Sequence, residues 1–559
     1  MSRVRAAPLL ALAVALLLTA CLAQDDSSAA PSPAPEPPDP LTEPESQAAT
    51  PQTLRWAIGP PREIVPPLAA DTDSLTVVDA LFESLTRVDE DGEVRPAAAS
   101  NWWANGDATA WVFVLESGNV YHDGRPVVAA DVKFAWEEGI RRGVVAPHLE
   151  DVVGYDALRR GDTDKLVGVS AHGDRTLRIT LERPRADLPV VMAHPSLAPV
   201  PAERWADDVE GYRQWPVGNG PFAMSEEWTR ADFVRLNRVE TASETDSGTV
   251  EELLFRFTDP TTGFVAFQQG RMDATTVPPG ALPEALATYG AMGENEDGGV
   301  LTGERASLYL LAMNVESPPF DDPVVRRALS FALDRDDLVE SVPDRNATVA
   351  RGLAPASVPD GQVTSCTTCM HGAAASERMF ADRGITQLEM WVNAEGGHEE
   401  VAERIAAALE EVGVHLTVHS LPFAEFVDAV ESGEATLFRY GWAAEHVSLD
   451  DMLVPLLHSR SGGLESGNPG GYANEQVDAL LDEAQGTRDR DERAQLFQAA
   501  KTLALGREQA VIPIHFDRHR LVVSDRVEGF SVGPTGRVAF DELRISEPLA
   551  DAEVLSSGR

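Results

Sequence analysis

Three cysteines in 559 residues are too few for a disulfide-framed scaffold. Basic residues are also sparse, 46 against 90 acidic ones, for a formal net charge of −44. Nucleic acid and an anionic membrane face both reward Lys and Arg, so neither is expected as a partner. The acidity equally suits solubility or adaptation to salt. Long apolar runs are nearly missing. The one near the start, 6–20, is interrupted only by Thr19 and follows two arginines, Arg3 and Arg5. It falls short of the roughly 20 residues that span a bilayer and has the pattern of a secretory signal. Enzyme signatures are missing as well. There is no His-Glu-x-x-His and no Gly-x-x-x-x-Gly-Lys. Gly529-Phe-Ser-Val-Gly533 fits a nucleophile elbow, but Pro534 follows where a helix should begin and no histidine lies downstream of Ser531.

What is present begins with Leu18-Thr19-Ala20-Cys21, which resembles the lipobox of bacterial lipoproteins. That resemblance implies cleavage before Cys21 and lipidation of its thiol, with 1–20 as the signal peptide. Each buried methylene is worth ~0.8 kcal/mol, so two or more acyl chains make a stable anchor. The stretch 21–52 includes Pro31-Ser-Pro-Ala-Pro-Glu-Pro-Pro-Asp-Pro40 and reads as an extended stalk. Beyond it lies enough apolar sequence for more than one core. In an oxidising compartment Cys366 and Cys369 read as a local disulfide, with a redox pair as the rival. Haem attachment lacks its histidine directly after the second cysteine, and zinc lacks a second cysteine pair.

Strand-like runs (110–115, 177–181, 415–419) alternate with helix-like ones (399–412, 474–505), which predicts a mixed α/β fold. In the last helical run Val477, Leu480, Leu481 and Ala484 form one apolar stripe. Asp123-Gly124 and Gly218-Asn-Gly220-Pro221 are turn signals that tolerate positive φ. Asp321 or Asp322 is placed to cap a helix, and Arg326 or Arg327 could pair with Asp334. Of Trp102 and Trp103, adjacent on a strand, at most one would line a cleft. His398, His446 and His458 lie scattered, and no metal site or cofactor is expected.

Several motifs occur in order. Val77-Val-Asp-Ala-Leu-Phe-Glu-Ser-Leu85 precedes Trp111-Val-Phe-Val-Leu115, Tyr121-His-Asp-Gly-Arg-Pro126 and Ala130-Asp-Val-Lys-Phe134. Val217-Gly-Asn-Gly-Pro-Phe222 follows, then Met313-Asn314, Pro318-Pro-Phe320 and Val325-Arg-Arg-Ala-Leu329 running into Ala332-Leu-Asp-Arg335. Tyr472-Ala-Asn-Glu-Gln-Val-Asp-Ala-Leu-Leu481 and Val511-Ile-Pro-Ile-His515 close the series. From Val77 to His515 the chain resembles the bacterial extracellular solute-binding proteins, family 5, the peptide/nickel-type substrate-binding lipoproteins of ABC transporters.

The resemblance implies a two-lobed, periplasmic-binding-protein-like fold with an extra subdomain on the first lobe and a ligand cleft between the lobes. By analogy the first lobe takes 53–82, 216–302 and 506–549, the subdomain 83–215, the second lobe 303–505, and 550–559 is a tail. The expected role is non-enzymatic: a monomer, lipid-anchored outside the cell membrane, that binds a peptide or similar polar solute for an ABC permease and ATPase. A surface sensor or chaperone of the same fold, or a binder of an oligosaccharide or metal chelate, is the alternative. Peptide-binding members carry Arg-x-Gly-Trp-x-Ala-Asp-Tyr where this chain has Arg439-Tyr-Gly-Trp-Ala-Ala-Glu-His446. Carried over, Glu445 meets the ammonium, Trp442 walls a pocket and Arg439 meets a carboxylate, as a planar guanidinium does well. The rival roles are an internal ion pair for Arg439 and Glu445 and a core aromatic for Trp442. Glu replaces Asp, His446 replaces Tyr, and Val447-Ser-Leu449 replaces a Pro-Asp-Pro turn.

Overall fold

A computed structural model describes residues 52–546, apart from 90–91, 145, 231, 240–247, 294–297, 362–365 and 465. The signal, Cys21, nearly all of the stalk and the tail 550–559 lie outside the described residues.

Two sheets dominate. Thr53–Ile58 is central to a seven-stranded sheet, parallel to Glu252–Phe257 on one side and Ala274–Thr276 on the other. Phe233–Arg238, Phe222–Met224, Leu521–Val523 and Gly299–Leu301 complete it. The second sheet has six strands, with Glu304–Met313 between Val511–Arg518 and Leu437–Ala443. Along Glu304–Met313 the even positions Ala306, Leu308, Leu310 and Ala312 enter one apolar core, and Tyr309, Leu311 and Met313 enter another. That period of two, apolar on both faces, is what a strand covered by helices on either side requires.

A four-stranded antiparallel sheet, including Ala99–Ala104 and Ala110–Leu115, forms the subdomain. Its Trp111, Phe113 and Trp136 belong to the same apolar cluster as Leu54, Trp56 and Phe255, so subdomain and first lobe share one core. Trp102 packs against Phe113 while Trp103 is exposed, as alternation along a strand demands.

The lobes are joined where two neighbouring strands pass from one sheet to the other. Gly299–Leu301 continues into Glu304–Met313, and Val511–Arg518 returns into Leu521–Val523. At this crossing the His519 N–H donates to the Gly303 carbonyl at 2.9 Å. The expected first-lobe segment 506–549 is therefore corrected: Val511–Arg518 pairs with Glu304–Met313 and belongs to the second sheet. An apolar run reads the same in either sheet, and only its pairing decides.

Other local readings change too. The run 474–505 is two helices, Glu475–Gly486 and Arg490–Thr502, because Asp489 caps the second by accepting from the Glu492 N–H. Asp322 caps Pro323–Ala332, but Arg326 and Arg327 do not pair with Asp334. Arg326 instead donates to the carbonyls of Phe320 and Glu508, and Arg327 to that of Arg507. At Gly218 the constraint is space: a Cβ would lie 1.9 Å from the Leu81 carbonyl oxygen. Cys366 and Cys369 are joined by a disulfide, with Cα atoms 5.2 Å apart.

Candidate functional site

The segment expected to bind solute is the strand Leu437–Ala443 and the turn after it. Pairing with Glu304–Met313 sets Arg439 opposite Leu311, Gly441 opposite Tyr309 and Trp442 opposite Leu308. Arg439, Gly441 and Tyr309 therefore share one face, and Trp442 takes the other.

On the first face the Arg439 Nε donates to Asn393 Oδ1 at 2.6 Å, and its guanidinium lies over the Phe426 ring. Tyr309 stacks on His515, ring centroids 4.9 Å apart, with the ring of His398, first residue of the helix His398–Glu411, 5.6 Å away. Burial lowers the Arg439 pKa, and burial, then the Arg439 charge, pushes His398 down to about 4. The Tyr309 hydroxyl and His515 Nδ1 are buried without a hydrogen-bond partner among the described residues. A buried polar atom left unpaired is costly. His515 Nε2 in turn lies 3.4 Å from Asp517. Asp517 belongs to the lining of a cavity of about 430 Å³, with Trp56, Asp73 and Thr275 from the first lobe and Arg305 and Asn346 from the second. That volume lies in the range of small-ligand sites.

On the opposite face Trp442 is partly buried against the core, and its indole N–H donates to the Asp451 carbonyl at 2.7 Å. The Asp451 carboxylate accepts from the N–H groups of both Glu445 and His446, at 2.6 and 2.8 Å. Burial pushes its pKa up to about 7, against the effect of those two bonds. The turn is thus fixed by one carboxylate, and it aims the Glu445 side chain at the subdomain. There Glu445 lies 3.3 Å from His194 Nε2 and stays half exposed.

The expectation that the histidines lie scattered fails for His446. Its Nε2 is 3.1 Å from His148 Nδ1, and the His148 and His194 rings are 4.0 Å apart. All three are buried. Nothing local marks them: they come from three segments, and only the packing of subdomain on second lobe unites them. Buried Arg185 holds the same junction, beside Asp187 at 3.3 Å, Asp450 at 3.7 Å and Asp151 at 3.8 Å. The Ser448 hydroxyl donates to Asp187 across it.

No helix follows Ser531 among the described residues, so the elbow geometry is not formed. No helix among the described residues is long and apolar enough to cross a membrane.

Residues 93–463 match the family described as bacterial extracellular solute-binding proteins, family 5 Middle. The chain belongs to this family. Among curated relatives it is 24% identical over 506 residues to the oligopeptide-binding protein OppA of Bacillus subtilis, covering 86% of this chain and 90% of that one. It is 26% identical over 507 residues to the probable deoxycholate-binding periplasmic protein YgiS of Escherichia coli, covering 87% and 92%. Among solved structures, the unliganded open form of the periplasmic murein tripeptide binding protein MppA superposes with a TM-score of 0.78 at 20% identity, covering 88% of this chain and 97% of that one. The Haemophilus influenzae OppA complex with RPPGFSPFR gives 0.67 at 20% identity, covering 88% and 99%. These likenesses fix the fold: two lobes of mixed sheet and helix.

Proposed function

We propose that the chain is the solute-binding subunit of an ABC importer, which takes a peptide or comparable polar solute between its lobes and delivers it chemically unaltered. The observation that carries this reading is the placement of Arg439 and Glu445 on one strand and its following turn. A zwitterion leaving water needs an anion for its ammonium and a cation for its carboxylate, because an unpaired buried charge is heavily penalised. Six residues at ~3.3 Å each put at most about 20 Å of backbone between the two, room for an extended peptide of up to roughly six residues. Trp442, held by its bond to Asp451, lies on the strand face away from Arg439, so in this reading it walls only the Glu445 end of the site. The names of OppA and of the Bacillus subtilis dipeptide-binding protein DppE support a peptide, whereas YgiS shows how far solutes vary in related chains.

A thermal screen of peptide libraries tests this. Ligand at about a hundred times its dissociation constant adds roughly 2.7 kcal/mol, a rise of a few degrees for a chain of this size. Recovery of a product from any bound peptide would overturn the non-enzymatic reading.

Anchoring through Cys21 completes the proposal. Cys21→Ala is expected to release the protein or block its maturation. Correctly processed mutant found in the membrane fraction at wild-type levels would refute the anchor. A monomer tethered there is the form that meets a permease.

A further inference from the structure

We propose that His148, His194 and Glu445 form a binding site for one divalent transition-metal ion of the zinc type, which ties the subdomain to the second lobe. The proposal goes beyond solute binding and shares with it only Glu445.

The geometry carries it. One ligand atom from each of the three residues lies within 4.8 Å of the other two. An ion bound tetrahedrally at about 2.0–2.2 Å from its donors sets them roughly 3.3 Å apart. His194 Nε2 and Glu445 Oε2 already stand at 3.3 Å. His148 is the third member, its ring 4.0 Å from that of His194. Glu445 is half exposed, so its carboxylate can rotate to adjust its own distances to the two imidazoles.

The donor set is that of zinc, cobalt or nickel: two imidazoles and one carboxylate, with the exposed side left for water.

The surroundings fix ring orientation as metal sites do. Without a metal the Ser196 N–H donates to His194 Nδ1, so Nε2 carries the hydrogen toward Glu445. An ion at Nε2 takes that hydrogen's place, and Nδ1 then holds it against the Ser196 hydroxyl, 2.7 Å away. His148 uses Nδ1 toward His446, leaving Nε2 as its second ring nitrogen. Two cations stand near. Arg185 is paired with Asp151, Asp187 and Asp450, and Arg537 with Asp79, which offsets part of the repulsion each exerts on an incoming ion.

The test is calorimetric titration of the chelator-stripped chain with Zn²⁺ in excess Mg²⁺, which occupies the many surface carboxylates but suits oxygen ligands rather than imidazole. One ion per chain is expected. His148→Gln, His194→Gln and Glu445→Gln should each weaken it by at least about tenfold. Should a buried histidine variant fail to fold, Glu445→Gln and the visible spectrum of the Co²⁺-loaded wild type decide: a tetrahedral or five-coordinate band is expected, lost in that variant. No saturable binding, or binding untouched by the substitutions, overturns the proposal. His148→Gln leaves Arg439, Trp442 and Glu445 in place, so a loss of Zn²⁺ with peptide binding intact separates this site from the solute site.

Discussion

The Glu445 carboxylate stands 3.3 Å from Nε2 of His194, a contact between the second lobe and the subdomain. Because burial keeps His194 neutral, the imidazole is a weak competitor that a solute ammonium can displace. Glu445→Gln removes the charge and keeps the shape. A hydrogen bond to a charged group is worth ~1.5–3 kcal/mol net, so peptide affinity should fall about ten- to a hundredfold. Acetylating the peptide's amino terminus should cost the wild type a similar amount and the variant far less, since both changes delete one interaction. If the two losses simply add, Glu445 does not meet the ammonium, and an uncharged solute becomes the better reading.

Arg439 is held at Nε by Asn393, which fixes the plane of its guanidinium. Arg439→Lys keeps the charge but loses the fork that grips a carboxylate at two points. Wild-type protein should prefer a peptide acid over its C-terminal amide, and the variant should lose about tenfold of that preference. Equal binding of acid and amide by the wild type would remove Arg439 from the site.

Gly218→Ala tests the close approach of two first-lobe segments. A Cβ there falls 1.9 Å from the Leu81 carbonyl oxygen, where the helix Thr72–Leu81 ends. The backbone must shift, and overpacking of this kind costs ~1–3 kcal/mol. The midpoint of chemical denaturation should fall accordingly, with peptide affinity little changed in the folded protein.

Local patterns were legible in the sequence where a local rule governs them. Ala110–Leu115 alternates buried and partly buried side chains as its composition implies, and Asp322 caps the helix that follows it. The break at Asp489 was missed because the apolar stripe continues across it, and a cap acts through one side chain that periodicity does not register. Gly218 has the sequence context of a turn glycine, but its constraint is a distant carbonyl. The candidate site divides the same way. Arg439, Trp442 and Glu445 lie in one short motif, whereas Tyr309, His398 and His515 meet only through sheet pairing, and His148 and His194 reach Glu445 only through the packing of two bodies.

The interlobe crossing carries its own pH dependence. His519 is buried there, donates from Nε2 to the Gly533 carbonyl at 3.1 Å, and is pushed down to about 4 by burial and then by the nearby Arg305. Its ordinary value is 6.5, so the unfolded chain takes up a proton that the folded chain refuses between these two values. Stability from this group is therefore fully present above about pH 6.5 and is lost as pH falls through about 4. At 1.36 kcal/mol per unit the whole term is of the order of 3 kcal/mol. His519→Gln offers an amide N–H to the same carbonyl and does not titrate. Denaturation curves at pH 7, 5.5 and 4 should show the wild type losing stability faster than the variant, the gap opening below pH 6.5. Parallel losses in the two proteins would mean that His519 is protonated as readily in the folded chain as in the unfolded one.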